Sequence, residues 1–192
     1  MVAYRLLQPA AVLPQPIHLV CREDRSDRLL AQLAVHEVDL VLADTPIGPT
    51  TRVRAFNHLL GECGVSFFAA DRLAGHRRGF PRSLDGAPML LPTDNTALRR
   101  SLDRWFAAEG IRPRILAEFE DIALLQVFGQ NGRGIFAGPS VIEDEIRRQY
   151  GVRVLGRTAE VRERFYAISV ERRLHNPAVI AICEAAREKL FG

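Results

Sequence analysis

No stretch of this sequence holds the roughly 20 consecutive apolar residues that a membrane-crossing helix needs, which excludes a helical membrane protein. The opening Met-Val-Ala-Tyr-Arg-Leu-Leu-Gln-Pro lacks the charged-then-apolar layout of a secretory leader, so a cytoplasmic location is expected. Cysteine is scarce: Cys21, Cys63 and Cys183 are odd in number, far apart and set among apolar residues. That pattern predicts three reduced, buried thiols rather than bridges or a zinc cage. The five histidines, His18, His36, His58, His76 and His175, stand apart from one another, and none falls in a His-Glu-x-x-His arrangement or beside paired carboxylates, so no metal is expected. Ser66, in Gly64-Val-Ser-Phe, lacks the second glycine of a nucleophile elbow. Gly132, Gly134 and Gly138 match neither the P-loop nor the dinucleotide spacing, and Cys63 has no histidine beside it to lower its pKa. An enzyme is therefore not expected, no cofactor is implied, and there is no internal repeat.

What is present is a chain of 192 residues, 47% hydrophobic and 26% charged, enough to bury a core in one domain or two small lobes. The net charge is +3, but Arg22, Arg25 and Arg28, then Arg99, Arg100 and Arg104, then Arg147 and Arg148 are interleaved with acids at helical spacing. These groups read as solvated helix faces, so this segment is not expected to bind DNA by itself.

Taken in order, Met1 to Leu13 reads as a helix with Leu6, Leu7, Ala10 and Ala11 on one face and no capping residue ahead of it. Pro14 and Pro16 bracket a turn, and Ile17, Leu19 and Cys21 alternate as in a strand. Asp24 or Ser26 is expected to cap a helix carrying Leu29, Leu30 and Leu33. A short apolar strand follows at Leu40 to Ala43, completing a strand-helix-strand unit, and Asp44-Thr-Pro-Ile-Gly-Pro49 forms the loop at its end. Leu59 to Ala70 and Phe165 to Val170 are two β-prone runs that predict strands crossing from one lobe to the other and back. Between them we expect strands at Met89 to Leu91, Arg114 to Phe119, Gly134 to Gly138 and Val152 to Leu155. Helices are expected after Thr93 to Thr96 (stopped by Gly110), from Ile122, and after Ser140, where Glu143 completes a capping box. Asn176-Pro177 opens a last helix. Strands alternating with helices predict an α/β fold with mostly parallel sheets.

One constellation points to binding. Thr93, Asp94, Asn95 and Thr96 join a strand end to a helix start, where unpaired amides and hydroxyls face outward. Asp44 and Thr45, and Phe119, Glu120 and Asp121, also fall at strand ends, where open α/β sheets place ligands. The carboxylates among them supply the hard oxygens that small cations prefer.

Several stretches carry a resemblance: Pro16-Ile-His-Leu19, Asp39 to Pro46, Gly61-Glu-Cys-Gly-Val-Ser-Phe67, Glu118-Phe-Glu-Asp121, Ala137 to Pro139 and His175-Asn-Pro-Ala-Val179. With the order of elements, they resemble the effector-binding domain of LysR-type transcriptional regulators, most closely activators of sodium/proton antiporter genes. The resemblance implies a fold of two Rossmann-like lobes joined by two crossover strands, like type 2 periplasmic binding proteins. Lobe I would comprise residues 1–62 and 168–192, and lobe II residues 63–167. It implies a small effector or ion, sodium among the candidates, bound between the lobes by Asp44, Thr45, Thr93 to Thr96, Phe119, Asp121 and Pro139. It also implies a homodimer in which the helix Ser26 to Val35 meets Ile122 to Gln130 of a second copy, and higher oligomers of the full-length protein. DNA would be bound through an upstream winged helix-turn-helix domain; neither that domain nor the first strand of lobe I is recognisable here, which suggests a fragment. A free-standing solute-binding protein of the same fold is the alternative; the coding region upstream of Met1 separates the two.

Overall fold

The computed structural model describes every residue except Pro49, Thr50 and Arg52. The expected loop Asp44 to Pro49 therefore ends at a residue outside the described ones. Six helices and six strands occur among the described residues. The helices are α1 (Val2–Ala11), α2 (Ser26–Ala34), α3 (Ala97–Glu109), α4 (Ile122–Gln130), α5 (Glu143–Tyr150) and α6 (Pro177–Ala185). The strands are β1 (Val41–Ala43), β2 (Phe56–Ala69), β3 (Pro88–Pro92), β4 (Arg114–Phe119), β5 (Phe136–Pro139) and β6 (Arg153–Ser169). The chain divides into two compact units, Met1–Glu62 with Arg164–Gly192, and Cys63–Glu163. It passes from one to the other within β2 and again within β6.

In the first unit α1 lies against α6, and Leu6, Leu60, Ala167, Val179 and Cys183 close a small core between them. A second cluster forms where Leu30 and Leu33 of α2 pack on Val41 and Ile168. β1 runs antiparallel to β6, with Val41 opposite Ile168 and Ala43 opposite Tyr166. Asn176 caps α6, its side-chain oxygen accepting from the Ala178 amide at 2.9 Å. Pro177 stands at the first turn, where a missing N–H is harmless.

The second unit is built on the parallel pair β3 and β4, linked by α3, with Met89 bridging in parallel to Ile135. The aliphatic run Met89-Leu90-Leu91 is buried on both faces, as a strand covered by helices on either side requires. Phe67 of β2 fills the centre, its ring 5.4 Å from Trp105 and 5.5 Å from Phe80. α3 ends at Gly110, whose φ of 66° is the left-handed conformation that a residue without Cβ adopts freely. Gly64 answers a different demand: a Cβ there would stand 2.7 Å from the Thr158 carbonyl, so β2 approaches β6 as closely as it does only with glycine.

Several expectations are corrected. Ile17 to Cys21 is not a strand; this stretch is extended, exposed and without ladder partners, because alternation supplies faces but not the second backbone that pairs the N–H and C=O groups. The strand-helix-strand unit predicted around α2 is therefore not formed, and Cys21 is exposed, while Cys63 and Cys183 are buried as expected. Burial pushes both of those thiols above their ordinary pKa. β1 pairs with β6, and β2 with β5, antiparallel rather than parallel. A parallel pair needs a helical crossover, which within the second unit is supplied between β3 and β4. The strand expected at Val152 to Leu155 is the start of β6, which runs on for 17 residues. Neither Asp24 nor Ser26 caps α2, whose N-cap is Arg25; the Asp24 carboxylate accepts the Arg25 amide instead.

The capping box at Ser140 and Glu143 does not form either. A 3-10 turn, Ser140–Ile142, intervenes, and Glu143 is turned into the unit. There its carboxylate accepts from the Ser66 hydroxyl at 2.7 Å and from Arg157 Nε and Nη2 at 2.6 Å each. Arg157 holds the Glu143 pKa below the usual carboxylate range against the opposing effect of burial, and Ser66 assists.

Candidate functional site

The predicted residues are best placed around the carboxyl end of β3. Pro92 lies opposite Phe119 in the β3–β4 register, and the Thr93 amide donates to the Phe119 carbonyl at 3.0 Å, which closes the turn onto β4. Within the turn, Thr93 Oγ1 donates to Asn95 Oδ1 at 2.8 Å, and Thr96 Oγ1 donates to the Thr93 carbonyl at 3.2 Å. Thr96 is the N-cap of α3 and accepts from the Arg99 amide at 3.1 Å. The amides of Ala97 and Leu98 have no partner among the described residues. Two donors thus remain at a helix start, where the macrodipole favours an anion or a polar oxygen.

The structure brings Thr93, Asp94, Asn95 and Thr96 together with Phe119 and Asp121. Their side chains do not serve alike. Asp94 and Glu120 are exposed and have no partner among the described residues. The Phe119 side chain is buried against Phe128, with ring centroids 5.0 Å apart, so it shapes the floor rather than meeting solvent. The Asp121 carboxylate caps α4 by accepting from the amides of Ala123 and Leu124 at 2.7 and 3.3 Å. Pro139 ends β5 opposite Val65. Asp44 and Thr45 follow β1 and belong to the first unit. Among the described residues no group of three His, Cys, Asp or Glu side chains is poised around a metal ion.

Arg99 was expected on a solvated face, yet its side chain is only 11% exposed. Its guanidinium donates to the Pro92 carbonyl at 2.9 Å, to the Asp103 carboxylate at 3.0 Å and to Glu118. Burial works against its charge, but the bonds to Glu118 and Asp103 outweigh that and raise its pKa further. Arg99 therefore ties the end of β3, the first turn of α3 and the edge of β4 into one piece, and so sets the geometry of the Thr93–Thr96 turn. The signal available in the sequence was Arg99 with Asp103 four residues on, which is also the signature of an ordinary surface pair.

A separate groove of about 610 Å³ runs beside β4 and α4, lined by Arg72, Leu116, Val127, Phe128, Asn131 and Arg133. Leu124, Val127 and Phe128 are exposed at helical spacing on one face of α4.

Residues 3–191 match the family described as the LysR substrate binding domain. The chain belongs to that family. The transcriptional activator protein NhaR of Escherichia coli K12 is 36% identical over 187 residues, which is 97% of this chain and 62% of that protein. The LysR chain described here thus spans about 62% of the length of that curated relative. Among solved structures, the apo regulatory domain of HypT from Salmonella typhimurium superposes with a TM-score of 0.72 at 16% identity, covering 96% of this chain and 90% of that one. The effector-binding domain of QuiR in complex with shikimate gives a TM-score of 0.63 at 17% identity, over 98% and 90% of the two chains. At these identities the likeness is one of fold: this is the periplasmic-binding-protein-like α/β fold of LysR regulatory domains. No helix among the described residues is long and apolar enough to cross a membrane.

Proposed function

We propose that this LysR domain is the effector-sensing part of a cytoplasmic transcriptional activator of sodium/proton antiporter genes, working with a separate DNA-binding domain and carrying no catalytic activity. The observation that carries the reading is the 36% identity to the activator NhaR through nearly the whole chain. The effector is a small ligand or ion that meets the Thr93–Thr96 turn, which carries two free amides and the exposed Asp94. Asp44 and Thr45, in the first unit, are further proposed effector-binding residues. Occupancy changes the regulator only to the extent that the effector binds one arrangement of the protein more tightly than the other.

Sodium is the effector to test first: the exposed carboxylates of Asp94 and Glu120 offer the hard oxygens it prefers, and they would hold it away from the free amides, which favour an anion. Melting in sodium chloride against potassium chloride of equal ionic strength tests it directly. At a concentration about 100-fold above Kd, sodium is expected to stabilise the fold by about 2.7 kcal/mol, or roughly 5 to 10 °C for a chain of this size. Identical melting in the two salts rejects sodium as a direct ligand.

The active form is a homodimer, consistent with the apolar face of α4. Burying Leu124 and Val127 against the α2 helix of a second copy removes that face from water. Sedimentation of the chain is expected to give a dimer, and Leu124→Glu a monomer. A monomeric native chain at high micromolar concentration would count against this arrangement.

A further inference from the structure

Among the described residues of the second unit, the side chains of Arg77, Arg78 and Arg82 have no partner, as is also true of Arg112, Arg114 and Arg133, but only the first three fall within one short loop. Arg77, Arg78 and Arg82 lie on a loop whose neck is closed by two hydrogen bonds: His76 Nδ1 donates to the Ser83 carbonyl at 2.7 Å, and the Ser83 hydroxyl donates to the His76 carbonyl. Inside the loop the Ser83 amide donates to Gly79 O at 3.0 Å and the Leu84 amide to Pro81 O at 2.9 Å. Phe80 points inward, 5.5 Å from the Phe67 ring and 6.3 Å from Trp105, and occupies the space a Cβ at Gly156 would need. The loop is thus pinned from within, and its one large apolar side chain is used in the core.

What it shows to solvent is three guanidiniums within six residues, none of them bonded or paired to any described residue. The nearby acids are engaged elsewhere: Asp71 pairs with Arg153, and Asp85 accepts the Arg112 amide at 2.8 Å. Arg99 and Arg157, by contrast, are matched to carboxylates. Three like charges within six residues of chain repel one another at low salt unless an anion covers them.

We propose that the Arg77, Arg78 and Arg82 loop grips the phosphodiester backbone of duplex DNA, independently of base sequence. Between the arginines, exposed Gly79 and half-buried Phe80 and Pro81 leave no fully exposed aromatic or aliphatic anchor of the kind that carries protein–protein affinity. Phosphate contacts need only positioned cations, and guanidinium forks suit them. The inference adds a contact by this domain to the reading of DNA by a separate domain. It rests on the regulator reading only for the choice of DNA as the polyanion, and it does not involve the effector.

The test is fluorescence anisotropy of a labelled mixed-sequence duplex with the 192-residue chain at increasing salt. Three phosphate contacts correspond to a salt slope of about −2.7, so the loop accounts for about a 40-fold loss of affinity between about 50 and about 200 mM. Replacing Arg77, Arg78 and Arg82 by Gln is expected to remove about 2.7 from the slope, while R147Q with R148Q on α5 leaves it in place. Circular dichroism melts that match the native chain show that the triple variant is folded. An unchanged slope in that folded variant, or no duplex binding by the native chain at low salt, overturns the proposal. So does loop-dependent binding of poly-glutamate more tightly than the duplex, which would assign the loop to an acidic protein instead. A failure here leaves the sodium melting result untouched, so the two readings fall separately.

Discussion

Phe67→Ala is expected to cost about 3 to 5 kcal/mol and to lower the melting temperature by roughly 6 to 20 °C. Phe67 is fully buried and touches three other rings, with centroids at 5.5 Å to Phe80, 5.4 Å to Trp105 and 6.4 Å to Phe106. Removing the ring deletes its transfer free energy and leaves a cavity walled by rigid aromatic side chains that cannot collapse into it. Trp105 is the sole tryptophan, so its fluorescence reports the unfolding of residues 63–163 directly. Phe67→Leu, which keeps most of the volume, is expected to lose less than half as much. A Phe67→Ala protein that melts within about 2 °C of the native chain would show that β2 does not centre this core.

Arg99→Ala is expected to cost about 1 to 3 kcal/mol and to abolish the response to effector. The direct loss is moderate because Asp103 and Glu118 are each about half exposed and regain water when the guanidinium leaves. The larger consequence is geometric. Without the bonds to Pro92 O, Glu118 and Asp103, β3 keeps its ladder to β4 and the Thr93–Phe119 bond, but the first turn of α3 loses its tie to Glu118 and to the end of β3, and the Thr93–Thr96 turn loses part of its registration. Arg99→Lys keeps the charge but not the planar fork, so it is expected to recover stability before it recovers the response. If Arg99→Ala retains a full sodium-dependent rise in melting temperature, the turn is held by its own hydrogen bonds and Arg99 has no positioning role.

Elements whose signals are local were legible in the chain. The strand Arg114–Phe119, the helix stop at Gly110 and the cap and first-turn proline at Asn176-Pro177 depend on the chemistry of a few adjacent residues. Thr96 was one of four possible caps at its turn, and the structure chose it because it alone stands one residue ahead of the first helical turn, within reach of the Arg99 amide. Ile17 to Cys21 alternates as cleanly as any strand here and yet finds no partner. Ser140 and Glu143 have the spacing of a capping box, but the Arg157 fork and the Ser66 hydroxyl, distant in sequence, offer Glu143 stronger bonds.

The sequence by itself determined the class of elements, most of their ends, the absence of metal and nucleophile motifs, and the resemblance to the LysR family, because each rests on residue identity and short-range spacing. Only the tertiary structure decided which strands pair antiparallel, that Arg99 is buried and that the arginines at 77, 78 and 82 are left unpaired. Those outcomes depend on partners tens of residues away, whose approach is set by packing and charge compensation rather than by any pattern along the chain.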